Sequence, residues 1–588
     1  MDDIFEFVKA EETAYALNIT VPGTDWEWNM KDHIRRTVMY KNSQFAEGPN
    51  DFSRPFNGGI LLPILNLQYR TEGFDVKDIL LYADDEKNYF KSFLIKKFHD
   101  RWAEEKGMDE FIDDTIESVV DFGGALVRDE DRDVPVNVPL TNIAFCDQTN
   151  MLGGPLGLKF NYSPDELQKY ESRGWGDPKN GANVTIQEAI VLAKSSKTND
   201  ATVGKEDKTP GKYVEIYEID GMMPETWYKN GGNPEKYVRQ MQILMFYYDE
   251  QEKKKKGLKL FAGRQREGVF KVIKRDKIVG RALGRGGVEE LFHPIVWGNY
   301  SEIAQKEMLD AATKVIIKTT DTGLKNRHPK GLKNLETLSI IEVEEGKDAA
   351  QMNLTPTNLP LFERAYSKWQ ESARSIAGAN DSILGESPAS GTPFKLQNLI
   401  TMESHGLHDY RRGKNASAIA EVYRDWVLKN LNKELIQGKK FLEELSLKEL
   451  QKIADQIVEC QIEDVKKERV LTGQPIIPEE VERVKAAIRS NFMKKGKSHF
   501  LEIFKEEMKD VPTAVRVNIV GKQKNLDKVT DKIVNVIRQV IAAPQILQMP
   551  GMADLFNEII EYSGLSPIDF DFTGMPQQVI PNAEPVPA

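Results

Sequence analysis

A helix with one apolar face is predicted between Leu359 and Gly378. Apolar side chains recur there at intervals of three or four residues, and charged side chains occupy the opposite side. The apolar face consists of Phe362, Tyr366, Trp369, Ala373 and Ile376. A face of this kind is normally buried, so we expect the helix to pack this side against another element.

The periodic pattern stops directly after this helix. From Ala379 to Pro393 the chain is rich in Gly, Ser and Pro, and apolar spacing resumes at Leu396. Structureless loops longer than ~12–15 residues are uncommon in compact domains and are usually either functional or disordered. The pattern alone therefore leaves two interpretations, a functional loop or a slack connection between two helices.

The region before this helix has a simple order of elements. A long helix is predicted from Ser301 to Thr322. A short insert, Arg327–Pro356, follows it and contains the strand-like segment Leu338–Val343 and a turn at Glu344–Gly346. The order along the chain is thus long helix, small β-containing insert, long helix, loop and a further helix.

The first 300 residues mix helical and strand patterns. Helical spacing covers Glu86–Lys106, which Gly107 ends, and a second helix follows for which Asp109 is the expected cap. Ser163 and Glu166 have the spacing of a capping box. The expected strands are two within the hairpin Asp121–Leu140, then Tyr213–Ile219 and Tyr237–Tyr248.

Beyond Ala420 the chain is predicted to be mostly helical. Helical spacing occurs in Glu421–Leu435, Ser446–Val470, Pro478–Lys494, Phe500–Lys509, Leu526–Ile541 and Met552–Tyr562. One strand is expected at Val515–Val520, and the tail Gly574–Ala588 is expected to be disordered. These patterns together predict a mainly helical α+β protein.

Length and composition limit the possible classes of protein. A chain of 588 residues exceeds what one hydrophobic core organises, so we expect about two to four domains or an elongated subunit of several parts. With 40% hydrophobic and 29% charged residues it is a folded, soluble protein. The net charge of −11 disfavours tight binding of a polyanion. Any contact with nucleic acid should be loose or limited to local basic patches.

Neither the cysteines nor the apolar runs indicate a special environment. Cys146 and Cys460 are far apart and have no companions at metal-ligand spacing, which favours a reducing cytoplasm and disfavours a zinc site. The acidic start, Met1–Glu6, predicts no signal peptide. The apolar run Ile60–Leu67 is too short to span a membrane. We therefore expect no membrane association, metal or cofactor.

Three segments resemble parts of ligand sites without completing them. Asp121–Gly123 matches the metal-binding triplet of kinases, but the strand lysine and the upstream catalytic loop are missing. Asp129–Asp133 is acidic but lacks the central glycine and closing glutamate of a calcium loop, so a solvated hairpin turn is expected. Gly280–Gly287 lacks the Gly-Lys-Ser/Thr ending of a phosphate-binding loop.

Basic and histidine clusters are equally incomplete. Lys253–Lys256 is expected to form a solvated turn at the end of a strand. His405 and His408 are three residues apart, without the glutamate that zinc proteases place between their ligands. We expect no catalytic residues, and an enzyme is not indicated.

The order of elements, together with several short phrases, resembles the portal protein of tailed double-stranded DNA bacteriophages. The phrases are Asp121–Val127, Val138–Leu140 and Ala144–Thr149, which are similar to wing sequence in large phage portals. The resemblance covers nearly the whole chain and depends on element order rather than on a catalytic signature. It implies a ring, typically dodecameric, at one capsid vertex, through which DNA passes during packaging and ejection.

The resemblance also implies how the chain is divided. The implied parts are a wing (1–300), a first stem helix (301–324), a clip (325–357), a second stem helix (358–378), a tunnel loop (379–395), a long helix with the wing–crown junction (396–435), a helical crown (436–573) and a disordered tail (574–588). Phe362, Tyr366, Trp369 and Ile376 would then pack the stem, against neighbouring subunits or against the subunit's own second helix.

The tunnel loop is the implied DNA-facing segment. Its candidate contact residues are Asn380, Asp381, Ser382, Glu386, Ser387, Ser390, Thr392 and Lys395. Lys395, at the edge of the loop, is the only cation among them, so the loop departs from a basic tunnel contact. The short polar side chains can touch a DNA backbone without gripping it, which suits a conduit.

The resemblance further implies partners and location. The partners are other copies of the chain in a ring, double-stranded DNA, the terminase motor, the major capsid protein and scaffold, and a head–tail adaptor. The clip would face the motor and later the adaptor. The protein would be assembled in the host cytoplasm and located in the virion.

Two alternatives remain open. Another virion component, such as a head–tail adaptor or baseplate protein, would share the acidic, helical composition. A nucleotide-dependent enzyme would have to use the Asp121 and Gly280 regions, which lack the required companions.

Overall fold

The computed structural model describes residues 2–44, 59–83, 89–130, 133–195, 213–229, 231–249, 254–312, 316–323, 343–352, 359–379, 406–437 and 515–519, and parts of 458–472 and 481–490. Helices dominate and small antiparallel sheets accompany them, which confirms the predicted mainly helical α+β class. No described helix is long and apolar enough to cross a membrane.

The helices of the described residues are α1 Asp2–Tyr15, α2 Met30–Lys41, α3 Leu61–Glu72, α4 Tyr89–Lys106, α5 Met108–Phe122, α6 Pro164–Lys169, α7 Ile186–Ser195, α8 Glu225–Tyr228, α9 Gly287–Glu290, α10 Phe292–Ala312, α11 Leu359–Ile376, α12 Gly406–Val422 and α13 Leu428–Gln437. A π-helical turn, Tyr423–Val427, joins α12 to α13.

The strands are β1 Ile19–Thr20, β2 Glu27–Trp28, β3 Ile79–Ala83, β4 Gly124–Arg128, β5 Val136–Val138, β6 Ile143–Phe145, β7 Leu156–Tyr162, β8 Val214–Pro224, β9 Tyr237–Asp249, β10 Lys254–Arg264, β11 Phe270–Lys274, β12 Ile316–Thr319, β13 Ala349–Met352 and β14 Val515–Ile519. The strands predicted in the Asp121–Leu140 hairpin, in β8, in β9 and at Val515 are confirmed.

Two larger antiparallel sheets lie in the described part of the first 300 residues, in addition to the two-stranded pair β1–β2. One has five strands in the order β10-β9-β8-β7-β6, and the other has three in the order β11-β4-β5. Helices α6 and α7 cover the five-stranded sheet through a core that includes Leu167, Trp175 and Ile190. Strand β14 pairs with β3, so the C-terminal region contributes to the N-terminal part of the fold.

The largest hydrophobic core lies among α3, α4, α5 and α12. Leu65 of α3, Leu94 of α4, Val119 of α5 and Ile419 of α12 are all buried in it. Ala373, near the end of α11, is buried in the same core. The C-terminal end of α11 is therefore fixed to the main hydrophobic core.

Local capping rules explain several helix ends. The Ser163 hydroxyl accepts a hydrogen bond from the Glu166 N–H at 3.3 Å, and the Glu166 carboxylate accepts one from the Ser163 N–H at 3.0 Å, so the predicted capping box is confirmed. The expectation that Asp109 caps α5 was wrong. Gly107, with φ of +73°, is the single residue between α4 and α5 and takes the N-cap position of α5. Asp109 therefore lies inside the first turn of α5.

The long helix expected before the β-containing insert was predicted with the wrong bounds. Instead of Ser301–Thr322, α10 spans Phe292–Ala312, and Ile316–Thr319 is strand β12. The residues after Ala312 are rich in β-branched side chains, which favour strands over helices. Pro294 lies in the first turn of α10, where its missing N–H removes no helical hydrogen bond.

Two charged segments also differ from expectation. Asp129 is not in a solvated turn: it is buried and accepts hydrogen bonds from Arg266 and, at 3.1 Å, from Asn430. Lys254–Lys256 does not form a turn but begins β10, where the antiparallel register places Lys254 opposite Asp249.

The two glycine-containing segments that resembled ligand sites pack against each other. A Cβ added to Gly123 would lie 2.4 Å from the Gly284 carbonyl oxygen, and one added to Gly286 would lie 2.2 Å from the Asp121 carbonyl oxygen. The Gly123 carbonyl accepts hydrogen bonds from the N–H groups of Arg275 and Gly284, both at 3.1 Å. The glycines therefore permit two backbones to approach closely.

Replacing Gly123 with alanine should lower the midpoint of thermal unfolding by several degrees. The variant adds a side chain at φ of +79°, which costs ~1–2 kcal/mol, and forces the two backbones apart. Gly231→Ala is the matched control, because Gly231 has φ of +77° but nothing within 4 Å of an added Cβ. Equal midpoints for the two variants would contradict the close-approach explanation.

Candidate channel site and its buried anchor

Helices α10 and α11 form an antiparallel hairpin. The rings of Trp297 and Trp369 stack with centroids 6.3 Å apart and planes at 17°. One position further along α10, a Cβ on Gly298 would lie 3.8 Å from the ring of Tyr366, one turn back along α11. The contact later in α10 is thus made to a residue earlier in α11, as expected for antiparallel helices. Both contacts involve the apolar face of α11, which therefore packs against α10.

A two-stranded ribbon lies at the far end of this hairpin. β12 and β13 pair antiparallel, with Ile316 opposite Met352 and Thr319 opposite Ala349. Asp321, which is buried, accepts hydrogen bonds from the N–H groups of Gly323 at 2.8 Å and Glu344 at 3.0 Å. The predicted strand Leu338–Val343 lies outside the described residues, apart from its last member.

The predicted stem residues differ in how far they are covered. Phe362, Tyr366 and Trp369 are half-buried, whereas Ile376 is 45% exposed and lines an open cavity of about 820 Å³ beside α2 and α9. The hairpin also carries four large side chains that are 43–63% exposed: Trp297, Tyr300, Leu309 and Leu361. A cluster of exposed aromatic and aliphatic side chains is typical of a protein–protein contact.

The predicted tunnel-loop residues lie outside the described part of the chain. These residues are Asn380, Asp381, Ser382, Glu386, Ser387, Ser390, Thr392 and Lys395. The structure does define the two points between which they run. The chain leaves the described fold after Ala379 and re-enters it at Gly406.

These two points are close together. Gly378, at φ of +66°, ends α11, and the Ala379 N–H donates to the Arg374 carbonyl at 2.8 Å, as in a Schellman motif. A Cβ placed on Gly378 would lie 3.2 Å from Cδ2 of Leu407 and 3.6 Å from Nε2 of His408. The segment that includes the predicted tunnel loop therefore begins and ends at one place in the fold.

A buried cluster of ion pairs lies at this place. The carboxylate of Glu72, at the end of α3, accepts two hydrogen bonds from the guanidinium of Arg275, at 2.5 and 2.9 Å. Neither side chain is exposed to solvent. Arg411 of α12 has Nη1 3.5 Å from the same carboxylate, and Nδ1 of the fully buried His408 is also 3.5 Å away. Glu72 thus joins α3, the end of β11 and α12.

Two further carboxylates complete the cluster. Arg411 donates to Glu290 of α9 at 2.5 Å and to Asp276 at 2.7 Å. Arg275 lies 3.5 Å from Glu290. Charge-assisted pairs of this kind are stronger than neutral hydrogen bonds, and buried ones need every partner. The start of α12 is therefore held to three other elements.

The electrostatic environment favours the ionised forms of Glu72 and Arg411. Burial alone would raise the pKa of Glu72, but the nearby ring of His408 and the charges of Arg275 and Arg411 outweigh burial, so the pKa is lowered. Burial would lower the pKa of Arg411, but Glu290, Glu72 and Asp276 outweigh it and the pKa is raised. Because folded Glu72 holds its proton less tightly than the unfolded chain, it stabilises the fold above its ordinary pKa of 4.5, and this stabilisation is lost as the pH falls through the lowered value.

Sequence patterns did not indicate this cluster. Glu72, Arg275 and Arg411 are single charged residues in separate elements, and no spacing rule connects them. The sequence singles out His408 only by its three-residue spacing from His405, and His405 lies outside the described residues. Among the residues that the structure describes, no group of three or more His, Cys, Asp or Glu side chains could hold a metal ion.

Comparisons with known proteins leave the family open. No protein-family model and no curated protein matches the chain. Three solved structures of gene transfer agent (GTA) particles are similar at 12% identity, each over 80% of this chain: the virion of the native particle (TM-score 0.31, 99% of that chain), the neck of the empty particle with C6 symmetry (0.31, 100%) and the neck of the native particle with C12 symmetry (0.27, 99%). TM-scores of this size do not establish a common fold, so they carry no argument about function.

Replacing Arg411 with methionine should destabilise the protein by ~3–5 kcal/mol, because it leaves buried carboxylates without their cation. The change would be measured as a fall in the thermal unfolding midpoint. Arg424→Met is the control, since the Arg424 side chain is 62% exposed and its ion pair with Asp425 is a surface pair worth at most ~1 kcal/mol. A fall no larger than in the control would show that the cluster does not anchor α12.

Proposed function

We propose that this protein is a structural component of a phage-like virion, and specifically a portal that forms a ring at one capsid vertex. The observation that carries the proposal is the order of elements: helix α10, ribbon β12–β13, helix α11, a segment with joined ends, and helix α12. A stem, a clip, a tunnel loop and a long helix follow one another in this order in portals. The chain supplies a framework rather than a reaction.

The exposed surface of the hairpin supports assembly. Trp297, Tyr300 and Leu361 are each more than half exposed, although large apolar side chains are costly to leave in water. In a ring, each subunit presents one face to its neighbour and a different face to the next, and the contacts close by rotation. Copies of the hairpin side by side would cover these side chains.

The joined ends of the segment support a channel role. One end of the loop is fixed by the packing of Ala373 in the core and the other by the buried ion pairs of Arg411, so the loop can project from the subunit without disturbing the core. Repeated around a ring, such loops would surround an opening wide enough for a DNA duplex. The terminase, capsid, scaffold and adaptor contacts of a portal would then belong to surfaces away from this loop.

A head–tail adaptor or baseplate protein is the alternative within the same class. It would also form symmetric assemblies, but without a channel that DNA crosses during packaging. A nucleotide-dependent enzyme is a weaker alternative, because its candidate segments at Asp121 and Gly280 serve as a backbone contact in this fold.

The purified protein should form rings with a central channel in negative-stain electron microscopy. Trp297→Glu combined with Tyr300→Glu should shift the protein to monomers in sedimentation velocity, because two buried charges would disfavour the subunit contact. Val191→Glu is the control, since Val191 is 65% exposed on α7, away from the hairpin. Wild-type protein that stays monomeric at high concentration would refute the portal proposal.

Deleting Asn380–Ser390 should leave ring assembly intact and reduce the DNA retained in particles that contain the variant. The reason is that the anchored ends at Ala379 and Gly406 remain in place while the proposed channel lining is removed. A Gly/Ser segment of equal length serves as the control for the spacing of the ends. Normal DNA retention by the deletion variant would reduce the segment to a passive connection.

A further inference from the structure

A group of exposed cations lies at the foot of the helical hairpin, beside the buried ion-pair cluster. We call Lys277, Arg285, Tyr410 and Lys414 the basic patch. The three cations are exposed, and the ring of Tyr410 is 58% exposed. Lys277 and Arg285 lie at the two strands of the β-bridge between Asp276 and Arg285, and Tyr410 and Lys414 lie on α12.

Backbone and side-chain contacts bring these residues together. The Arg285 N–H donates to the Asp276 carbonyl at 3.0 Å, which places Arg285 across from Asp276 and Lys277 beside it. The Asp276 carboxylate in turn accepts from Arg411 of α12 at 2.7 Å. Lys414 lies one helical turn beyond Arg411, so all three cations adjoin the same contact.

The path of β11 along α12 supports this placement. Lys271 donates to the Glu421 carbonyl at 3.1 Å, and Asp276 contacts Arg411, so the two elements run antiparallel. Five residues of extended chain span ~17 Å and ten residues of helix span ~15 Å, so the separations agree. Lys277 therefore lies level with the first turns of α12, where Tyr410 and Lys414 are.

The nearby carboxylates pair with other cations rather than with the patch. Asp276 and Glu290 are engaged by Arg411, and Asp409 is engaged by Arg412 at 2.9 Å. Within the described residues, none of the three patch cations has a carboxylate oxygen within 4.0 Å. Burial and, after it, the charge of Lys277 lower the pKa of Lys274.

Tyr410 and Lys414 form a shaped part of this surface. The ammonium of Lys414 lies 4.4 Å from the centroid of the Tyr410 ring, a cation–π contact that holds the charge at the surface. An added Cβ at Gly406 or Gly413 would have nothing within 4 Å, so the surface around the pair is open. Lysine, arginine and tyrosine hydroxyl groups are common donors to DNA phosphates.

We propose that the basic patch binds phosphate groups of double-stranded DNA as the duplex passes the foot of the hairpin. The proposal rests on the proposed portal function and supplies the cations that the predicted tunnel loop lacks. The patch is small on a chain of net charge −11, so each contact is weak and is released easily as the duplex moves. It is close to the ends of the loop, at Ala379 and Gly406.

The test compares full-length wild type with the triple variant Lys277→Gln, Arg285→Gln and Lys414→Gln. Binding of a fluorescent DNA duplex of random sequence would be measured by anisotropy over a series of salt concentrations. The variant should bind at least about tenfold more weakly at low salt, with a salt slope smaller by ~0.9 for each phosphate group that it no longer binds. Equal affinity and slope in wild type and variant, or no wild-type binding at low salt, would overturn the proposal.

The control variant is Lys9→Gln, Lys31→Gln and Lys77→Gln. It removes the same charge from exposed lysines elsewhere, and these lysines also have no ion pair in the described residues. An equal fall in affinity in the control would reduce the effect to net charge and overturn the proposal. Negative-stain images of the same samples distinguish the patch proposal from the portal proposal. If rings form but the triple variant binds DNA as the wild type does, only the patch proposal is refuted. If the triple variant selectively loses DNA binding but no rings form, the patch proposal is supported and the portal proposal is refuted.

Discussion

The carboxylate of Glu72 meets two arginines in a part of the core that water does not reach. A buried ion pair is stable only while each charge keeps its partners, so Arg275 and Arg411 cannot move independently of α3. This constraint fixes the end of β11 and the first turns of α12 in one arrangement. The core can therefore keep this arrangement whatever the conformation of the segment between Ala379 and Gly406.

The hairpin of α10 and α11 is only partly buried, in contrast to the ion-pair cluster. Its base is packed into the main core through Ala373, but its sides expose Trp297 and Tyr300. A rigid base combined with an apolar surface suits an element that completes its packing only in an assembly. The exposed cations at the foot of the hairpin add a polar surface beside the buried cluster.

Local patterns predicted the elements whose cause is local. The spacing of Phe362 and Trp369 predicted α11, and Ser163 predicted the start of α6. The bounds of α10 were wrong, because a proline in its first turn and β-branched residues beyond Ala312 conflict with simple periodicity. The buried ion-pair cluster could not be predicted, since Glu72, Arg275 and Arg411 are brought together only by tertiary packing. The same holds for the residues of the basic patch. The predicted tunnel-loop contacts stay predictions.

The pairing of β3 with β14 sets an order for folding. Ile79 is paired with Ile519, so the sheet cannot form until Ile519 has left the ribosome. At ~5–20 residues per second, β3 must wait on the order of tens of seconds as an unpaired strand edge. Unpaired edges are prone to join strands of other chains. Packing of β3 against α4, which follows it directly in the chain, would shorten this exposure.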